Sequence, residues 1–119
     1  MKLALVGALY LSISSLCAQT FTFPHSEKDC KASKVICTTL SEVIKYTPTD
    51  VTVSSIEFQE NHIKIQGHSP GYKGIGLFIE NLTMISTVKQ RMTIASTRPA
   101  IDLAKNRIEH FQLEGNLSP

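Results

Sequence analysis

Apolar side chains recur at helical intervals over residues 26–46, where Val35, Ile36, Leu40, Val43 and Ile44 share one face and Ser26 or Ser33 is placed to cap the start. Thr47-Pro48 ends that helix, because the residue before a proline leaves the α region and the proline itself has no N–H for the ladder. Residues 51–58 then alternate with β-branched residues, Gln59-Glu60-Asn61 turns the chain, and residues 62–67 alternate cleanly, which predicts a hairpin with Ile63 and Ile65 facing inward. The phase slip between Val53 and Ile56 predicts a bulge or twist in the first of these strands. After Ser69-Pro70-Gly71, residues 72–84 place Ile75, Phe78, Ile79 and Leu82 at i, i+3, i+4 and i+7, the stripe of a second core-facing helix. A second strand pair follows. Residues 87–97 set Val88, Met92 and Ile94 on one face, a loop runs from Arg98-Pro99 to Asn106, and residues 107–117 turn Phe111 and Leu113 inward. The order α-β-β-α-β-β predicts an α+β sandwich, a four-stranded antiparallel sheet with two helices on one face.

Residues 1–19 stand apart from this pattern. Met1-Lys2 precedes an apolar run from Leu3 to Leu16, followed by Cys17-Ala18-Gln19-Thr20, the layout of a secretory signal with a small-residue exit near Ala18. The run falls short of the roughly 20 apolar residues that span a bilayer, although extending it to Phe23 just reaches. Two fates stay open, cleavage near Ala18 or retention as a short anchor through residues 3–19, and both export residues 20–119. Lipidation at Cys17 requires a small preceding residue, and Leu16 is not one.

Composition narrows the field. The 119 residues are 42% hydrophobic and 18% charged, enough for one small globular domain and not for a disordered chain. Twelve Lys and Arg against ten Asp and Glu give +2, with the charges scattered, so no basic stripe for a nucleic-acid backbone forms. Cys30 and Cys37 are a candidate disulfide in an oxidising compartment, provided the helix begins after Cys30; on one continuous helix their Cα atoms would lie about 10 Å apart, beyond the reach of a bridge. Gly67, Gly71, Gly74 and Gly76 fall between a strand and a helix, but they match neither phosphate-cradling glycine motif and read as a turn and a helix start. His62 and His68 flank one strand roughly 20 Å apart, too far to share an ion, and His25 and His110 add no ligand spacing. Glu57 and Glu109 lie on different strands and read as exposed charges, and no Ser or Cys sits in a nucleophile motif. No catalytic, cofactor-binding or metal-ligating set is therefore expected. Asn81-Leu-Thr83 and Asn116-Leu-Ser118 are formal glycosylation sequons, meaningful only in a eukaryotic secretory route.

The stretch LSEVIKYTPTDVTVSSIEFQENHIKIQGHSPGYKGIGLFIENL, with VKQRMTIAS and IEHFQLEGNL after it, resembles the periplasmic domain of PilN-like type IV pilus assembly proteins and the related type II secretion subunits. The resemblance covers about two thirds of the chain. It implies a ferredoxin-like fold and a non-catalytic scaffold at the inner membrane, joined to a PilO-like periplasmic subunit or a second copy and to other inner-membrane assembly proteins of a pilus, secretion or DNA-uptake apparatus. Family members carry a cytoplasmic N-terminal docking segment before the membrane span; with only Met1-Lys2 ahead of the apolar run, cytoplasmic docking is not expected. A sheet ordered third, fourth, second, first would leave residues 51–58 and 87–97 at its edges, with Lys89, Arg91 and Thr93 on the candidate interface strand and the two cations also suited to edge protection. The helix face of residues 26–46 is the competing contact. The alternative function is a small exported binding or enzyme-regulating module for an unrelated ligand, held in the loop from Gly67 to Gly76.

Overall fold

The computed structural model describes residues 18–22 and 32–118. They form an α+β architecture in the order β1 (Ala18–Thr22), α1 (Lys34–Tyr46), β2 (Thr52–Gln59), β3 (His62–Ser69), α2 (Tyr72–Leu82), β4 (Thr93–Ile101) and β5 (Arg107–Asn116). All neighbouring strands are antiparallel, and the sheet order is β1-β2-β3-β5-β4.

α1 starts where its sequence allows it to. The Ser33 side chain accepts the Ile36 N–H at 3.3 Å, capping the helix so that its first turn begins at Lys34. At the other end Thr47 adopts an extended backbone before Pro48; its N–H donates to Ile44 O at 3.3 Å, the carbonyl that Pro48 cannot serve, and its hydroxyl donates to Val43 O at 2.6 Å. Leu40 and Val43 are buried while Ile44 turns outward. In α2 all of Ile75, Phe78, Ile79 and Leu82 are buried, as their spacing predicts.

Both helices lie on one face of the sheet. Ile56, Ile65 and Leu113 form one cross-strand row beneath them, and Val53, Gly67 and Phe111 another, so a single core joins helices and strands. The expected bulge is present, as a register shift between Val53 and Ser55. Asn81 Nδ2 donates to Tyr46 O at 3.1 Å, tying the end of α2 to the end of α1. Thr39, buried on α1, donates to Val35 O at 2.7 Å and shares a short hydrogen bond with Thr87 in the segment after α2.

Three features differ from the sequence reading. The sheet has five strands and not four, because Ala18–Thr22 pairs along β2 from Ala18↔Gln59 to Thr22↔Ser55. β2 is consequently interior, and the edge expected at residues 51–58 is covered. The strand expected at residues 87–97 is instead β4, shifted toward the C-terminus, so Arg98-Pro99 lies within a strand and the hairpin loop shrinks to residues 102–106. A proline is compatible with that position because an edge strand has one side with no ladder to complete. Ile94, expected inward, is 48% exposed, since the helices do not extend over β4.

Candidate functional site

Two surfaces are left after the core is built. The first is the outer edge of the sheet. In β4 only Thr97 and Ala100 are even half-buried. Ile94 and Ile101 pair with Leu113 and Arg107, on the side of the sheet that carries the core, yet they stand beyond the helices. The β4–β5 hairpin also outruns β3: the pairing of β3 ends at Ser69↔Glu109, while β4 and β5 continue to Ile101↔Arg107. Its turn is closed by Lys105 N–H to Asp102 O at 2.9 Å and Asn106 N–H to Asp102 Oδ1 at 2.8 Å, with Lys105 at φ 64°. This hydrogen-bonded turn presents Ile101 at 72% and Leu103 at 105% exposure. The side chains are held out, not folded back. Pro99, Ala100 and Arg107 adjoin Ile101 there.

Lys89 and Arg91, expected on the edge strand, precede it. Lys89 N–H donates to Asn116 O at 2.8 Å, and Arg91 pairs with Glu80 of α2 at 2.5 Å, so both anchor the segment leading into β4. Thr93 opens β4 opposite Glu114. A register shift between Ile94 and Ser96, together with Pro99, interrupts the outer hydrogen-bonding edge. That edge is therefore poorly suited to adding a long strand, and the apolar side chains around the tip are its stronger contact.

The second surface is the sheet face opposite the helices. Its side chains are polar and form cross-strand rows. Glu57 and Lys64 pair at 3.4 Å, and His62 reaches Glu114 at 3.2 Å. One row further along, Ser55 donates to Gln66 Oε1 at 3.2 Å and Gln66 donates to Gln112 Oε1 at 3.0 Å. In the next, Thr52, His68, His110 and Arg98 line up across β2, β3, β5 and β4, with the two imidazoles edge-to-face at 5.7 Å. A cavity of about 560 Å³ opens over these last two rows.

The other sequence candidates separate. Glu57 and Glu109 face opposite sides of the sheet; Glu109 is buried on the core side, with Oε1 3.3 Å from Arg107, and its Oε2 has no hydrogen-bond partner among the described residues. Gly67 lies inside β3, Gly71 caps α2 and Gly74 packs on Val51, so the four glycines form no shared loop. Cys37 is disulfide-bonded on α1. Cys30, its expected partner, lies outside the described residues, as do His25 and the apolar run 3–16. Asn81 is half-buried and engaged with Tyr46, whereas Asn116 is exposed at the end of β5. Among the described residues no group of three or more His, Cys, Asp or Glu is placed to hold a metal, and no helix is long and apolar enough to cross a membrane. The Arg98, His110 and His68 row lies beyond sequence reasoning, which places Arg98 in a loop; β4 carries no alternation that would mark it as a strand. No known protein family, curated protein or solved structure matches the chain.

Proposed function

We propose that this protein is an exported, non-catalytic scaffold subunit that works through protein–protein contacts, in an apparatus of the type IV pilus, type II secretion or DNA-uptake kind. The observation that carries the reading is the uncovered β4–β5 hairpin, with Ile94 exposed along β4 and Ile101 and Leu103 exposed at its hydrogen-bonded tip. A folded chain keeps such side chains in water at a cost, and burying Ile101 and Leu103 against a partner is worth about 1.5–3 kcal/mol each. The order α-β-β-α-β-β from α1 to β5 supports the reading, with β1 adding a fifth strand beside β2 that the PilN-like layout does not include. The partner is a PilO-like periplasmic subunit or a second copy, seated on the hairpin tip.

Purification of tagged full-length protein from its native membranes in mild detergent tests this reading. Co-purification of another envelope-assembly subunit, or a stable dimer, is expected, with recovery of the complex falling about tenfold or more in the I101S/L103S double variant. A free monomer, or a complex indifferent to that double substitution, overturns it. The intact mass from the same preparation shows whether residues 1–18 are retained.

A further inference from the structure

We propose that the polar face of the sheet carries an anion-binding site, at the cavity over β3, β5 and β4, that takes a small organic ligand through a carboxylate or phosphate group. This goes beyond the scaffold reading and uses none of the hairpin-tip residues.

The cavity is built by backbone irregularities that coincide. β2 has its register shift between Val53 and Ser55, and β4 has one between Ile94 and Ser96. They fall on the same cross-strand row, because Ser55 pairs with Gln66, Gln66 with Gln112, and Gln112 with Ser96. A bulge bends its strand and increases the local twist, so a bulge on each side of the two central strands curls the face into a hollow. At about 560 Å³ the hollow matches the size of small-molecule sites.

Its lining supplies donors. Arg98 and His110 are cross-strand neighbours at one end, and Ser96 and Gln112 adjoin them. The direction of the amide chain matters here. Gln66 Oε1 accepts from Ser55 and Gln66 Nε2 donates to Gln112 Oε1, which leaves the Gln112 amide N–H groups for the hollow. Among the described residues no carboxylate lines the cavity. The acids nearest in sequence are turned away or matched: Glu109 faces the core side with Arg107, and Glu57 and Glu114 sit on another row with Lys64 and His62. A guanidinium fork beside imidazole, hydroxyl and amide donors is the complement of an oxyanion, which it binds with charge-assisted hydrogen bonds. The hollow is larger than an inorganic ion needs, which points to an anion carried on an organic frame.

Calorimetric titration of the full-length protein in mild detergent, with inorganic phosphate and with citrate as separate probes, tests the assignment. Saturable one-to-one binding of either probe is expected, phosphate alone marking a phosphoryl ligand and citrate alone a carboxylate one. Affinity should fall about tenfold or more in R98M, and fall in H110Q, while R98K retains part of it. R91M, which removes a guanidinium paired with Glu80 on the helical side, should bind as the parent does. Circular dichroism establishes that each variant is folded. Absence of saturable binding of both probes at about 10 mM, a range typical of the weakest specific sites, overturns the proposal, as does R98M binding like the parent. I101S/L103S should bind both probes normally, so failure of the scaffold reading and failure of this one are separately visible.

Discussion

Gly67→Ala is expected to be the most damaging single methyl that this fold can receive at a glycine. Gly67 sits in β3 between Val53 and Phe111, next to the β2 bulge. A Cβ there would lie 2.2 Å from Thr52 O, 2.9 Å from Phe111 Cζ and 3.1 Å from Val53 Cα. The aromatic ring can shift, but the carbonyl oxygen and Cα belong to the backbone of β2. Relief therefore requires β2 to move away from β3 by about 1 Å, which weakens their hydrogen bonds where the bulge draws the strands together. Overpacking of this kind costs about 1–3 kcal/mol, and a weakened ladder bond adds about 1, against a gain of about 0.5–1 from replacing a strand glycine. The net loss is about 1–3.5 kcal/mol, or a fall in Tm of about 5–25 °C for a domain of this size. Urea and thermal unfolding followed by circular dichroism measure it. Gly76→Ala provides the opposite sign, since its Cβ meets nothing within 4 Å on the exposed side of α2, and a gain of about 1 kcal/mol is expected. If G67A unfolds within about 0.5 kcal/mol of the parent, as an ordinary surface change would, the reasoning about strand approach is wrong.

Other outcomes follow from the turn and the disulfide. Lys105, at φ 64°, occupies the left-handed region at the hairpin tip, and Lys105→Gly should raise the urea midpoint by the equivalent of about 0.5–1 kcal/mol; a loss would show that the turn is held differently in solution. Cys37 is disulfide-bonded, and α1 begins late enough for Cys30 to be its partner. Non-reducing peptide mapping should find the Cys30–Cys37 link, and reduction should lower stability by up to about 2.5 kcal/mol, the chain-entropy value for a loop of about eight residues. A Cys17–Cys37 link would refute that pairing.

The parts of this fold that the sequence made legible are those whose burial is one-sided and local. α2 was readable because Ile75, Phe78, Ile79 and Leu82 all face the core, and a helix with one buried face must repeat every 3.6 residues. The β2–β3 hairpin was readable for the same reason at period two, bulge included, and Ser33 and Pro48 mark the ends of α1 by their own backbone chemistry. β1 and β4 were not readable in this way. Ala18–Thr22 is short and follows directly on the apolar run of residues 3–16, so nothing in its letters marks where a strand begins. β4 has almost no buried side chain, and without burial there is no phase to read, so Pro99 looked like a stop when it is a tolerated edge residue. The polar hollow lay further still from sequence reasoning. Arg98, His110 and His68 become neighbours only when β4, β5 and β3 pair in a particular register, and that register is set by inward residues such as Leu113 and Ile65 seeking the core on the other face. Local periodicity decided the elements; long-range pairing, which no short window of sequence contains, decided which polar side chains meet.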